Sequence, residues 1–289
     1  MNTPTVPDAY KRRLQAHFAL TGVPFRKNMH AADMFDSRGQ RDLLHGLLLW
    51  MEVRGIGLVT GPSGVGKSIT VRRFVQELDE ARYRVVYLAN MRTTETGFLR
   101  SLNRALELPM RAHNADLFDQ AHSHLTAHGP NAGPHPVLIL DDAEGVRPVL
   151  LDLLRRLTSY ALDAEDRFSL LITGTEALLR TMRDPGLEPF VTRIGFASSL
   201  KPFSLEDTRN YVAFHLVRSG AGTRLFSEDA IKRMFQASQG NPRKVNQIAV
   251  HALIQAAVMG HDAITGDFLA AQLAAHPLYD NSTNTGANS

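Results

Sequence analysis

The segment LVTGPSGVGKSIT, residues 58–70, has the residue types and the spacing of a loop that binds phosphate. It matches the pattern G-x-x-x-x-G-K-[ST], in which small residues let the backbone surround a phosphate with inward-pointing N–H groups. In such a loop the lysine reaches the outer phosphates of a nucleotide and acts there during hydrolysis, and the next hydroxyl holds Mg²⁺. We therefore expect Ser68 to bind Mg²⁺, and the nucleotide to be held by Gly61, Pro62, Ser63, Gly64, Val65, Gly66, Lys67, Ser68 and Ile69.

An acidic pair at the end of the apolar stretch LILDDAE is the second group that could do chemistry. Hydrolysis of a nucleotide needs Mg²⁺ beside the phosphates and a water in line with the γ-phosphate. We expect Asp141 to bind Mg²⁺ through water and Asp142 to orient the attacking water. An acidic pair after a strand can also simply begin the next helix, and it is the upstream phosphate loop that favours the catalytic interpretation.

The segments around these residues alternate between short apolar runs and amphipathic stretches from residue 56 to residue 200. Their spacing predicts strands at 55–60, 84–89, 136–140 and 168–173, separated by helices. This alternation implies an α/β fold with a mostly parallel sheet and helices on both of its faces. The first strand leads into the phosphate loop and the third ends in the acidic pair, so the carboxylates can face the loop.

Beyond residue 202 the sequence predicts helices only. Ser204 and Asp207 form the pattern of a capping box, which begins a helix that runs to about residue 219. Further helices are predicted at 227–240, 242–260 and about 266–273. We therefore expect three regions, namely an N-terminal segment with the α/β core over 1–201, a small α-helical domain over 202–275 and a disordered tail over 276–289.

The composition excludes several classes of protein. The chain has no cysteine, which excludes disulfides and thiolate metal sites, and no apolar run approaches the roughly 20 residues that span a bilayer. We therefore expect a soluble, cytoplasmic protein without a membrane partner. The net charge of +3 does not by itself indicate binding to nucleic acid.

A histidine-rich segment, residues 113–135, includes His124 and His128 at a spacing found among metal ligands. No cysteine or His-Glu pattern completes a metal site, and the surrounding residues suggest a loop. We assign no metal site to this segment.

Taken together, these segments resemble the AAA+ ATPases, and among them the branch that holds the secretion ATPase ExeA and the transposition regulators TnsC and TniB. The resemblance covers roughly residues 16–270. Its most specific parts are LEPFVTRIGFASSLKPFSLEDTRNYVAFHLVRSG and LFSEDAIKRMFQASQGNPRKVNQIAVHALIQAA, because a generic phosphate-loop protein has no reason to contain both. The resemblance implies an AAA+ nucleotide-binding core with a helical lid domain, and it implies Mg²⁺-dependent hydrolysis of ATP.

Three further site residues follow from the resemblance. Thr173, or Thr175 just beyond it, lies where the family keeps a polar residue that senses the γ-phosphate, and either threonine can instead cap the next helix. Arg193 matches the arginine finger, which stabilises charge on the ATP of a neighbouring subunit, and its alternative is a surface ion pair. Arg243 matches the family's second sensor, an arginine that reaches back to the nucleotide. Its alternative is a residue that only keeps the start of a helix soluble. The branch usually has glutamate where this chain has Asp142, which predicts slow hydrolysis.

Two main classes of function remain open, with a signalling module that does not bind DNA as a third. The first is a transposition regulator, an ATP-dependent ring or filament that binds double-stranded DNA without sequence preference and recruits or activates a transposase. The second is a secretion ATPase similar to ExeA. Secretion members normally have a transmembrane segment and a peptidoglycan-binding domain after the ATPase core, and neither follows the helical region here. We therefore favour transposition.

The segment after the second strand is the predicted DNA contact. In related transposition regulators, loops that follow the early strands line a central pore. Arg92, Thr93 and Thr94 occupy the corresponding segment here and are expected to donate to DNA phosphates. The alternative is that Thr94 and Thr96 only cap the helix that follows.

Overall fold

The computed structural model describes residues 12, 14–25, 34–89, 91–127, 133–160, 166–276 and 279. Its contacts divide the chain into one unit over Arg38–Lys201 and a second unit that combines the residues up to Ser37 with those from Pro202 onward. We had grouped the N-terminal segment with the α/β core, whereas the structure groups it with the helices. The reason is packing at long range, since Leu20 and Phe25 are buried in the helical core and the N–H of Thr21 donates to the carbonyl oxygen of Ser219 over 2.8 Å.

A parallel sheet of five strands, counted over the described residues, forms the centre of the first unit. The strands lie in the order β2-β3-β4-β1-β5. Their bounds are Ile56–Thr60 for β1, Tyr83–Ala89 for β2, His135–Asp141 for β3, Ser169–Gly174 for β4 and Ile194–Ser199 for β5. The four predicted strands are confirmed and β5 was not predicted. Its residues alternate between half-buried and exposed, so β5 lacks the continuous apolar run by which the buried strands were recognised.

Helices cover both faces of this sheet, as the alternating pattern predicted. Because successive strand residues point to opposite faces, Val59, Ile139 and Leu171 pack on one side against Trp50 and Phe74. The next residues along each strand pack on the other side against the remaining helices. The helices are α1 (Arg38–Val53), α2 (Lys67–Glu77), α3 (Glu95–Ala105), α4 (Asn114–Thr126), α5 (Pro148–Thr158), α6 (Glu176–Met182) and α7 (Glu188–Val191).

The histidine-rich segment contains helix α4, which corrects the expectation of a loop. Leu117, Ala121 and Leu125 recur every four residues and are fully buried, which places one face of α4 in the core. His122 and His124 lie on this helix, whereas His128 lies outside the described residues. Within the described ranges, no group of three or more metal-ligating side chains comes together.

The second unit is helical, with α8 (Leu205–Arg218), α9 (Glu228–Ser238), α10 (Pro242–Met259) and α11 (Gly266–Ala274). The capping box at the start of α8 is present as predicted, since Ser204 accepts from the N–H of Asp207 and Asp207 accepts from the N–H of Ser204. Most of the predicted tail lies outside the described residues. At its start, however, Tyr279 donates to Gln247 of α10 over 3.2 Å. In the part of the chain that the structure describes, no helix has the length and apolarity to cross a membrane.

Candidate active site

The phosphate loop joins β1 to α2 and depends on two glycines that no other residue type could replace without strain. Gly61 has φ 147°, and a Cβ there would lie 2.4 Å from the carbonyl oxygen of Leu200. Gly66 has φ 112°, and a Cβ there would lie 2.9 Å from Nε2 of Gln40. The absence of side chains at these points lets the loop adopt its positive φ angles and pack closely against Leu200 and Gln40.

Helix α2 begins directly at this loop and has no side-chain cap at its N-terminus. Its first N–H groups therefore suit a phosphate, because the N-terminus of a helix carries a partial positive charge. Ser68 and Ile69 lie in this first turn and are exposed. The loop and the helix start form a cradle that fits the phosphates of a nucleotide.

Lys67 brings a full positive charge into the cradle. The residue is only 4% exposed, and its Nζ donates to the carbonyl oxygens of Gly61 over 2.9 Å and Pro62 over 3.2 Å. A buried ammonium at the centre of the loop suits the outer phosphates of a nucleotide. A role for Lys67 at the outer phosphates stays a prediction.

Thr173 joins the two predicted acids at the end of the sheet. Its hydroxyl donates to Oδ1 of Asp141, and it accepts from the backbone N–H of Asp142 over 3.2 Å. Asp142 has φ 54° and ψ 51°, a left-handed conformation that aspartate adopts more readily than most residues. One buried hydroxyl therefore positions both the carboxylate of Asp141 and the backbone of Asp142.

Tyr87 is a fourth member of this cluster that sequence reasoning missed. Its hydroxyl donates to Oδ2 of Asp141 over 3.1 Å, so each oxygen of this carboxylate has a protein donor. Burial, followed by the charge and the hydrogen bond of Asp141, raises the pKa of Tyr87 to about 12, so the phenol keeps its proton. Only the pairing of β2 with β3 shows this contact, because 54 residues separate Tyr87 from Asp141.

This donor set fits a magnesium nucleotide. The ion prefers oxygen ligands and keeps several of its waters. Ser68 and Asp141 would hold it, since a carboxylate oxygen accepts more than one hydrogen bond and Asp141 can still accept from bound water. When bound, Mg²⁺ neutralises charge on the phosphate oxygens.

The two threonines considered as sensors have different surroundings. Thr175 is the N-cap of α6 and accepts from the N–H of Ala177, so it has the capping role that was the alternative to a sensor. Thr173 is fully buried in β4 beside both acids. A role for Thr173 at the γ-phosphate stays a prediction.

The predicted DNA segment adjoins the loop that follows β3. Arg147 donates from Nη2 to the carbonyl oxygen of Thr93 over 2.9 Å, and the side chain of Arg92 packs directly over Gly145. Thr94 is the N-cap of α3 and accepts from the N–H of Gly97, which is the capping role considered above. Arg92 and Arg147 are both exposed, near the end of the sheet that carries the acids. Sequence reasoning missed Arg147, whose contact is between two loops.

The two remaining arginines keep their predicted roles as predictions. Arg193 directly precedes β5 and donates from Nη1 to the hydroxyl of Ser159, the C-cap of α5, over 2.8 Å. Arg243 lies in the first turn of α10 in the helical unit, where Asn241 caps the helix and accepts from the N–H of Arg243.

Residues 51–182 match the model of a family described as AAA domain, and this range contains the phosphate loop, both acids and Thr173. The fold is similar to that of Cdc6p from Pyrobaculum aerophilum, with a TM-score of 0.64 and 18% identity over 83% of this chain and 67% of that one. The chain has an AAA+ fold. It is also similar to the Aeropyrum pernix ORC1 protein, solved in complex with DNA, with a TM-score of 0.61 and 15% identity over 92% of this chain and 69% of that one.

One curated relative is similar in sequence. General secretion pathway protein A from Aeromonas hydrophila is 30% identical over 235 residues, which make up 79% of this chain and 42% of that protein. The chain therefore spans less than half the length of this relative. The comparisons support the AAA+ fold, and the name of this relative fits the secretion class, which is the second alternative above.

Proposed function

We propose that this protein is an AAA+ ATPase that binds and hydrolyses ATP with Mg²⁺ and uses the nucleotide to assemble on double-stranded DNA. The observation that supports hydrolysis most strongly is the cluster in which Thr173 joins Asp141 to Asp142, because Thr173 pairs with Val59 of β1, the strand that leads into the phosphate loop. The loop and Lys67 hold the phosphates, and Ser68 and Asp141 hold the ion. The carboxylate of Asp142 orients water toward the γ-phosphate.

Hydrolysis is proposed to be slow. The carboxylate of Asp142 is one methylene shorter than that of glutamate, which the related branch usually has at this position. The side chain therefore reaches less far from a backbone that its hydrogen bond to Thr173 holds in place. A carboxylate that is not fully in reach of the water transfers the proton less efficiently. The nucleotide then serves chiefly to hold an assembly together.

Two further arginines are proposed to complete the site in the assembly. We propose that Arg193 of one subunit stabilises charge on the ATP of its neighbour, and that Arg243 contacts the nucleotide from the helical unit. Support for both roles comes from the resemblance to the ExeA, TnsC and TniB branch.

Arg92 and Arg147 support a DNA surface near the carboxyl end of β2 and β3. Both guanidinium groups are exposed, and the hydrogen bond from Arg147 to the carbonyl oxygen of Thr93 fixes the two loops to each other. Such a pair contacts phosphates without reading bases. Each subunit of a ring would add one pair to the same duplex, so the modest net charge of the chain is no obstacle.

On this basis we propose a regulator of transposition that recruits or activates a transposase on DNA. The solved ORC1 complex with DNA supports DNA binding by this fold in another protein. A secretion ATPase is the second candidate, and the 30% identity to general secretion pathway protein A favours it. Since this chain spans 42% of that relative, a missing later segment does not separate the two classes.

Binding to a labelled random-sequence duplex, measured by fluorescence anisotropy with a non-hydrolysable ATP analogue, tests the proposal. We expect nucleotide-dependent affinity that falls with salt, and Arg92→Glu should weaken it and lower the salt slope by about one phosphate contact per subunit. Arg82→Glu is the matched control, because Arg82 is an exposed arginine that precedes the amino end of β2. If Arg92→Glu bound the duplex as tightly as the wild type, the segment that contains Arg92 would not be part of the DNA-binding surface. Intact ATPase activity with no duplex affinity would favour the secretion class.

A further inference from the structure

Tyr87 combines exposure with a specific polar contact. The residue is 54% exposed on β2, which is an edge strand of the sheet, and yet its hydroxyl bonds to a carboxylate that is only 4% exposed. A half-exposed ring buries little apolar surface in the core. The stability of the fold therefore does not account well for a tyrosine at this position.

The register of the sheet explains how the contact forms. Tyr87 pairs with Ile139 of β3, and Ala89 pairs with Asp141. Since alternate residues of a strand share a face, Tyr87, Ile139 and Asp141 lie on the same side of the sheet. Tyr87 lies beside Ile139, which is two residues before Asp141, and its hydroxyl reaches along the strands to the carboxylate of Asp141.

The carboxylate of Asp141 is held from both sides by this arrangement. Thr173 donates to Oδ1 from β4, and Tyr87 donates to Oδ2 from β2, which lies on the opposite side of β3. The terminal torsion of an aspartate side chain is soft and has broad minima. One donor leaves the carboxylate plane able to turn, whereas two donors from opposite strands fix it.

We infer that Tyr87 is a positioning residue of the magnesium site, which orients Asp141 toward the waters of the ion. This inference rests on the proposed function, in which Asp141 binds Mg²⁺ through water. Residues that orient a metal ligand commonly change metal affinity by 10- to 100-fold when they are replaced. Because Thr173 keeps its own hold on Asp141, we expect an effect at the lower end of that range.

The test compares Tyr87→Phe with Tyr83→Phe by titrating Mg²⁺ against the binding of a fluorescent ATP analogue. Both substitutions remove one phenol oxygen from the same face of β2, but only Tyr87 contacts Asp141. In Tyr87→Phe the Mg²⁺ concentration for half-maximal enhancement should rise about tenfold. Affinity in EDTA and the melting temperature should stay close to those of the wild type, and Tyr83→Phe should titrate as the wild type does.

Two results would overturn the inference. One is a Tyr87→Phe titration that matches the wild type, and the other is an equal loss of affinity with and without Mg²⁺, which would indicate a general structural effect. If the wild type itself shows no effect of Mg²⁺ on nucleotide binding, the proposed function fails instead.

A double-mutant cycle with Asp141→Ala checks that Tyr87 acts through this carboxylate. In the Asp141→Ala background, Tyr87→Phe should cause no further change in the Mg²⁺ titration. A further tenfold change in that background would contradict a role through Asp141.

Discussion

The hydroxyl of Thr173 bonds to both acids, so its removal should lower both the stability of the fold and the rate of hydrolysis. Thr173→Val keeps the shape of the side chain but removes a donor to the carboxylate of Asp141 and an acceptor for the N–H of Asp142. A hydrogen bond to a charged group contributes about 1.5–3 kcal/mol, and a neutral one about 1 kcal/mol. We therefore expect the free energy of unfolding to fall by about 2–4 kcal/mol.

Hydrolysis should fall for a separate reason. Asp142 has a left-handed backbone that costs a non-glycine residue about 1–2 kcal/mol, and its bond to Thr173 helps to hold it there. Without that bond the carboxylate of Asp142 should occupy its working position roughly 5- to 30-fold less often. The affinity for the ATP analogue should change little, because the loop and Lys67 are untouched.

Urea unfolding, analogue binding and steady-state phosphate release measure these three quantities in parallel. Thr173→Ser is the matched control, since it keeps the hydroxyl and loses only a buried methyl. It should hydrolyse ATP close to the wild-type rate despite a loss of about 1 kcal/mol in stability. If Thr173→Val hydrolysed ATP as fast as Thr173→Ser, Thr173 would not position Asp142.

Gly61→Ala should abolish nucleotide binding, as measured by analogue fluorescence, because its Cβ would lie 2.4 Å from the carbonyl oxygen of Leu200. Gly195→Ala is the control and should bind the analogue normally, because a Cβ at Gly195 would meet no described atom within 4 Å. Asp142→Glu should raise the phosphate-release rate by restoring the longer reach, and a slower rate would contradict the account of slow hydrolysis. Burial lowers the pKa of His135 and of His215 to about 4, whereas the pKa of a histidine in the unfolded chain is about 6.5. Above pH 6.5 both histidines are neutral in the folded and the unfolded chain, so they do not reduce the free energy of unfolding there. As pH falls from 6.5 toward 4, the urea unfolding free energy should decline by about 2 kcal/mol per histidine after allowance for solvent screening, and a flat profile would contradict this.

Most of the fold could be predicted because its elements have local patterns. The buried strands read as continuous apolar runs, and the capping box at Ser204 marked the start of α8. Strand β5 escaped prediction because it is a half-buried edge strand that contains glycine and serine. Helix α4 escaped because its histidines obscured the buried positions Leu117, Ala121 and Leu125. The packing of the N-terminal segment on the helices is a long-range contact that no local pattern records.

The residues of the candidate site also fall into two groups, those that a local pattern predicts and those that only the fold brings together. The phosphate loop and the acidic pair lie in short segments whose residue order itself specifies phosphate and magnesium chemistry. Tyr87 and Arg147 were missed because their contacts depend on strand register and on two loops that meet in space. The commitment of the Thr173 hydroxyl to both acids likewise appears only when β3 lies beside β4.

The proposed function requires that ATP held by the phosphate loop assemble this chain on DNA. Electron microscopy of the protein with duplex DNA, Mg²⁺ and a non-hydrolysable ATP analogue tests it most directly, with Lys67→Ala as the control that removes the buried ammonium. We expect rings or filaments along the duplex for the wild type, and dispersed monomers for Lys67→Ala or without nucleotide. Dispersed monomers for the wild type under all conditions would contradict the proposed function.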